Sequence, residues 1–96
     1  MIVPIHGLKY HKFVLPHIYD ELLLVKEREN QFDTMAVAAY TIEGEKLGYV
    51  SAKSLYNAKV FARMQTEITF GKVWAIFPNQ ILVELDLPKN TPPNKC

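Results

Sequence analysis

The chain has 96 residues, which suits one domain with a single hydrophobic core and is too short for two. Its hydrophobic fraction of 49% and charged fraction of 22% are those of an ordinary globular protein, so intrinsic disorder is excluded. The formal net charge of +1 excludes a protein that coats duplex DNA through a large basic surface. Any nucleic-acid site is therefore expected to be small and local.

Three features predict a cytoplasmic protein. The longest apolar runs, at residues 22–25 and 35–40, are far shorter than the roughly 20 residues that cross a bilayer, so no membrane association is expected. Residues 1–4 lack the basic and apolar regions of a secretory signal. The only cysteine is Cys96, so no internal disulfide can form, which fits a reducing compartment.

The first half of the chain predicts three strands. The apolar runs at residues 20–27 and 35–42 are bounded by turn residues, as strands are. Residues 43–46 form a hairpin turn in which Gly44 is free to adopt a positive φ, and residues 47–50 return as a short strand. Gly48 inside that strand indicates a bulge or a close approach of another backbone segment.

The second half predicts one helix and two further strands. The helix covers residues 53–65, with Ser51 or Ser54 as its N-cap. Its apolar stripe is predicted to contain Leu55, Ala58, Phe61, Ala62 and Gln65. A strand at 66–77 presents one face made of Ile68, Phe70, Lys72, Trp74 and Ile76. The last strand, at 80–87, turns Ile81, Val83 and Leu85 inward.

Short strands with turn signals and one helix predict a mainly β fold, a small OB-like β-barrel with one or two short helices. A mixed α+β sandwich is the competing architecture. The apolar pattern ends at Pro88, so residues 1–87 are predicted to form the domain and 88–96 a flexible tail. The predicted core includes Leu24, Val37, Leu55, Phe70, Trp74 and Val83.

The sequence carries little that could catalyse a reaction. It has no glycine-rich phosphate loop, no Cys-x-x-Cys pair and no His-Glu-x-x-His motif. The spacing of His6, His11 and His17 matches no metal motif, so neither a metal nor a cofactor is expected. No nucleophile accompanies Asp33 and His11, so we expect a binding module rather than an enzyme.

Two segments are candidates for a binding site. Residues 6–17 interleave basic and aromatic side chains, the combination that holds the phosphates and bases of single-stranded nucleic acid. The alternative is a surface loop whose Tyr10 and Phe13 pack on the core. Residues 30–33 lie between two strands, where Asn and Asp commonly fold a turn through hydrogen bonds to the backbone.

Three segments, at residues 7–11, 24–37 and 44–50, resemble the HIRAN domain family in order and spacing. That family has a glycine near its start, a charged run into an Asn-Pro-aromatic-Asp motif, and a Gly-Tyr/His-aliphatic strand before a helix. The resemblance covers residues 5–66 and is closest to the standalone bacterial members. It implies an accessory module with an oligonucleotide-binding barrel that grips the free 3′ end of single-stranded DNA.

The resemblance also implies a set of site residues and partners. The residues are Lys9, Tyr10, His11, Asn30, Phe32, Asp33, Tyr49 and Lys53. Asp33 is expected to accept a hydrogen bond from the terminal sugar hydroxyl, because a carboxylate repels an internal phosphodiester but accepts a hydroxyl. The expected context is DNA repair, with single-stranded DNA and a DNA-processing ATPase or nuclease as partners.

Two functions remain open from the sequence. One is recognition of a DNA 3′-hydroxyl end by aromatic stacking and a hydroxyl-reading aspartate. The other is a protein–protein or small-ligand adaptor that uses the same groove, because a fold does not fix a function. DNA binding would be favoured if the rings of Tyr10, Phe32 and Tyr49 are exposed around a concave site beside Asp33. A closed aromatic cluster would favour the adaptor.

Overall fold

The structure, a computed structural model, describes residues 1–7 and 16–87. Within these residues the elements are β1 (Ile2–His6), β2 (Glu21–Glu27), β3 (Ala36–Thr41), β4 (Lys46–Val50), α1 (Tyr56–Arg63), β5 (Ile68–Ile76) and β6 (Ile81–Leu85). The prediction of a mainly β, small barrel with one or two short helices is confirmed. The predicted boundary between domain and tail falls where the described residues end and stays a prediction.

The strands form a closed antiparallel barrel in the order β1-β4-β3-β2-β5-β6, with β1 also paired to β6. The sequence pattern did not predict β1, because Pro4 has no backbone N–H and normally argues against an interior strand. Here Pro4 pairs with Leu82 of β6, and its carbonyl accepts the Ser51 N–H at 2.9 Å. The barrel therefore closes through a strand that composition alone does not reveal.

Alternate residues of the strands fill the barrel. The fully buried side chains include Val3, Ile5, Leu22, Leu24, Val37, Leu47, Val73, Ile81 and Val83. The predicted core positions Leu24, Val37 and Val83 are therefore confirmed, as is the inward face of β6.

The predicted core assignment for β5 is wrong. Phe70 and Trp74 point outward and are 59% and 48% exposed, whereas Gly71 and Val73 are buried. Gly71 belongs inside because a Cβ there would lie 2.6 Å from a methyl carbon of Leu85, so the barrel at this point has room only for a hydrogen. The strand thus carries its largest apolar side chains on its outer face.

The predicted N-cap is wrong, the α-helix is shorter than predicted, and of the predicted stripe Phe61 packs against the core whereas Leu55, Ala62 and Gln65 are exposed. α1 begins at Tyr56, after a single 3₁₀ turn at Lys53–Leu55, and no side chain caps either segment. Leu55, predicted to lie in the core, has a left-handed backbone with φ 60° and is 65% exposed. The buried side chains near the barrel are Asn57, Val60 and Met64. In the described part of the chain, no helix is long and apolar enough to cross a membrane.

The face assignment of β5 can be tested with two similar substitutions on that strand. Val73→Thr is expected to lower the free energy of unfolding by about 2 kcal/mol, because it puts a hydroxyl into a fully buried apolar site. Ile68→Thr, at a position that is 50% exposed, is expected to cost less than about 1 kcal/mol. Urea denaturation of both variants measures the difference, and equal losses would mean that the assignment is wrong.

Candidate functional site

An open cleft of about 470 Å³ lies where the loop between β2 and β3 meets β1 and the segment after β4. It is lined by His6, Gly7, Asn30, Phe32, Asp33, Ala36, Tyr49, Val50, Ser51 and Ala52. We call Asn30, Phe32 and Asp33 the loop wall and residues 49–52 the strand wall. The cleft brings together four of the site residues predicted from the sequence.

The loop wall is held by hydrogen bonds from its own side chains. Asn30 Oδ1 accepts the backbone N–H of Phe32 at 2.9 Å and that of Asp33 at 3.1 Å. Asp33 Oδ1 in turn accepts the N–H of Met35 at 2.9 Å. These are the turn contacts that Asn and Asp commonly make. They leave the ring of Phe32 98% exposed.

The Asp33 carboxylate also accepts a hydrogen bond from the helix. Its Oδ2 accepts a hydrogen bond from the Asn57 side-chain amide, and Asn57 is buried at the start of α1. An ionised carboxylate offers about four acceptor sites, so these two bonds leave Asp33 able to accept another from the cleft. Asn57 was missed from the sequence, because the wrong helix face was predicted to be buried.

The strand wall contains Tyr49, whose hydroxyl is fixed by a charged pair. Tyr49 donates to Glu27 Oε1 at 2.7 Å, and Lys46 Nζ lies 2.8 Å from Glu27 Oε2. Lys46 also donates to the Tyr49 hydroxyl oxygen, and its Nζ is 4.4 Å from the centroid of the Tyr49 ring. Asn30 Nδ2 donates to Glu27 Oε1 at 3.2 Å. One carboxylate therefore contacts residues of both walls.

This network stays charged at neutral pH. Burial by itself would raise the pKa of Glu27, but hydrogen bonds from Lys46, Tyr49 and Asn30 hold that pKa below its usual value. Burial would lower the pKa of Lys46, but its bonds to Glu27 and Tyr49 raise that pKa above the usual value. Burial and the bond to Glu27 raise the pKa of Tyr49, against the opposing effect of Lys46. Tyr49 is therefore a neutral donor between two ions.

Other predicted residues lie outside or beside the cleft. Lys9, Tyr10 and His11 are outside the described residues. Lys53 is exposed and follows the lining residue Ala52, without lining the cleft itself.

The structure adds His6, which lines the cleft and bonds Gln80 Oε1 through Nε2 at 2.8 Å. His6 belongs to the segment of basic and aromatic residues at 6–17 but is not one of the site residues that the family resemblance implies.

Comparison with known proteins gives a family and two similar structures. The family model of the HIRAN domain matches residues 1–81. The crystal structure of a Lactobacillus plantarum protein superposes with a TM-score of 0.73 at 21% identity, over 85% of each chain. The HIRAN domain of human HLTF superposes with a TM-score of 0.72 at 15% identity, over 86% of this chain and 69% of that one. No curated protein matches at a significant level.

Proposed function

We propose, because this chain belongs to the HIRAN domain family, that its cleft binds the 3′-hydroxyl end of single-stranded DNA. The family is known for nucleic-acid binding, which supports a DNA-binding module. The finer proposal rests on one observation: an almost fully exposed ring, Phe32, and a half-buried carboxylate, Asp33, line the same open cleft.

The exposure of Phe32 supports stacking on a base. A Phe ring that is 98% exposed contributes almost nothing to the core, so packing does not account for it. Each base stacked on an aromatic ring contributes about 1 to 3 kcal/mol to binding. Tyr49 offers a second ring from the strand wall. Two of the three rings that distinguish the functions, Phe32 and Tyr49, line an open cleft rather than a closed cluster, which favours DNA over the adaptor. The third, Tyr10, lies outside the described residues.

The surroundings of Asp33 support selection of a strand end. Bonds from the Met35 N–H and the Asn57 amide fix the orientation of its carboxylate beside the cleft. A carboxylate repels the phosphodiester of an internal nucleotide, whereas it accepts a hydrogen bond from a terminal hydroxyl worth about 1.5 to 3 kcal/mol. Contact with only one or two phosphates suffices for such a site, which fits the net charge of +1.

The proposal extends to the biological setting. We propose a binding module without catalytic activity or cofactor, acting in DNA repair in the cytoplasm. Lys9, Tyr10, His11 and Lys53 complete the site in this proposal. A DNA-processing ATPase or nuclease acts on the end that the module holds.

The test compares a 3′-hydroxyl oligonucleotide with the same strand carrying a 3′-phosphate. Wild-type protein is expected to prefer the hydroxyl end. Asp33→Asn is expected to bind the hydroxyl end about tenfold more weakly, because a charge-assisted hydrogen bond is lost. It is also expected to discriminate less between the two ends, because the repulsive charge is gone. Fluorescence anisotropy with a 5′ label measures both affinities.

The matched control is Asp86→Asn, which removes the same charge from an exposed position that does not line the cleft. It is expected to preserve end preference. Thermal melting shows whether the Asp33 variant remains folded. Equal binding of both ends by wild-type protein, or binding of neither at millimolar concentration, would refute end recognition and leave the adaptor function in its place.

A further inference from the structure

We propose that Glu27 is a positioning residue of this site: its carboxylate is the shared acceptor that holds the loop wall and the strand wall in their binding geometry. Glu27 does not line the cleft, so it acts through other residues. The inference rests on the proposed DNA binding for its functional consequence. Its structural part can be measured in the free protein.

On the strand wall, Glu27 fixes the ring of Tyr49. The Tyr49 hydroxyl donates to Glu27 Oε1 at 2.7 Å and also accepts a hydrogen bond from Lys46. Lys46 is held in turn by Glu27 Oε2 at 2.8 Å and lies at the hydroxyl end of the Tyr49 ring. A ring whose hydroxyl is held by both Glu27 and Lys46 has few rotamers left, so it needs little ordering when a base stacks on it.

On the loop wall, Glu27 fixes the direction of the Asn30 amide. Asn30 Nδ2 donates to Glu27 Oε1, which turns Asn30 Oδ1 toward the backbone N–H groups of Phe32 and Asp33. The opposite amide orientation would present an NH₂ group to those donors and leave the turn without its cap. Glu27 therefore controls how Phe32 and Asp33 are presented, although it forms a hydrogen bond with neither side chain.

Position 27 requires a carboxylate, and the amide of glutamine does not suit it. Three donors converge on Glu27: the ammonium of Lys46, the hydroxyl of Tyr49 and the amide of Asn30. Glutamine has a single acceptor oxygen, and that oxygen is expected to face Lys46, because an ammonium can only donate. Its NH₂ group then meets the Tyr49 hydroxyl and the Asn30 amide, which share the other carboxylate oxygen in the wild type. Glu27→Gln keeps the side-chain volume but disrupts the network. Hydrogen bonding also keeps the pKa of Glu27 low, so the carboxylate is ionised at neutral pH.

A charge effect and a positioning effect predict opposite changes in affinity. Removing a negative charge from a protein strengthens its attraction for a polyanion. If Glu27 acts only by its charge, Glu27→Gln binds DNA more tightly. If it positions the walls, the same variant binds about fivefold more weakly despite the charge gain, an effect of the size seen for directly coupled residues.

The matched control is Glu67→Gln. Glu67 pairs with Arg28 on the surface, and neither residue lines the cleft. The substitution removes the same charge from an exposed pair, so affinity for a 5′-labelled oligothymidylate with a 3′-hydroxyl is expected to stay constant or rise slightly. Weaker binding by Glu27→Gln and not by Glu67→Gln supports positioning, and binding by Glu27→Gln at or above wild-type affinity overturns it.

Hydrogen exchange provides a measurement that needs no DNA. In Glu27→Gln, the amide protons of Phe32 and Asp33 are expected to exchange about tenfold faster, because their Asn30 cap is released. The exchange rates of amide protons in the barrel core are expected to change only as far as the global free energy of unfolding changes. Unchanged exchange at Phe32 and Asp33 contradicts the inference. Faster exchange in a protein whose wild type binds no DNA refutes the proposed function and leaves the positioning role intact.

A second variant tests the contact between Glu27 and Tyr49 independently, so the test does not depend on Glu27→Gln folding correctly. Tyr49→Phe removes only the hydroxyl, so the ring remains available for stacking. It is expected to weaken binding about threefold, and adding Glu27→Gln to it is expected to cost less than in the wild type, because the shared contact is already gone. Additive effects of the two substitutions would show that Glu27 does not act through Tyr49.

Discussion

Replacing Gly48 with alanine is expected to lower the free energy of unfolding by more than about 3 kcal/mol, because the added methyl group has no space. A Cβ at this position would lie 2.1 Å from the carbonyl oxygen of His6 and 3.1 Å from its carbonyl carbon. The obstacle is the backbone of β1, which cannot rotate aside as a side chain can. Relief requires β1 to move away from β4, and their pairing closes the barrel.

Chemical denaturation of Gly48→Ala and of Gly44→Ala tests this expectation. Gly44 lies in the hairpin turn just before β4, and a Cβ there meets no atom within 4 Å. Its φ of +95° still makes alanine unfavourable, so the control is expected to lose about 1 kcal/mol. Similar denaturation midpoints for the two variants would show that the close approach of β1 to β4 does not restrict the size of the side chain at position 48.

The close approach at Gly48 is one of the features that the sequence predicts correctly. A glycine within a short strand has few explanations, and the structure confirms a close backbone neighbour. The alternation of β6 also leads to the correct inward face, because Ile81, Val83 and Leu85 are its strongest apolar set. Both predictions rest on local information, which a single sequence contains.

The errors arise where the fold depends on distant neighbours. Alternation in β5 shows that its two faces differ, but Gly71 and Val73 face inward because other strands leave only that much space. β1 becomes part of the barrel through its pairing with β6, about 80 residues later in the chain. Neither constraint is visible within the segment itself.

In the candidate site, too, the residues that local sequence identifies differ from those that depend on distant neighbours. Asn30, Phe32, Asp33 and Tyr49 fall in the segments that resemble the HIRAN domain, and the structure brings them to one cleft. The residues that hold them were not predicted. Lys46 lies 19 positions from Glu27, and Asn57 lies 24 positions from Asp33, so these contacts exist only once the barrel has formed.

Phe32→Ala is expected to weaken binding of single-stranded DNA by roughly five- to 150-fold, which corresponds to the loss of about 1 to 3 kcal/mol from one stacked base. Its free energy of unfolding is expected to change by less than about 0.5 kcal/mol, because the ring is 98% exposed. A large loss of affinity without loss of stability would identify Phe32 as a contact residue. Anisotropy titrations and urea denaturation of the same preparation measure both quantities.

Phe70→Ala is the matched control, since Phe70 is a second exposed phenylalanine, at 59%, on the outer face of β5. It does not line the cleft, so its removal is expected to leave affinity unchanged. Because stacking does not depend on the chemistry of the terminus, Phe32→Ala should weaken hydroxyl-ended and phosphate-ended strands by the same factor. Only Asp33 carries end preference in this scheme. A selective loss for one end would assign part of the end recognition to the ring, and wild-type affinity in Phe32→Ala would rule out stacking on Phe32.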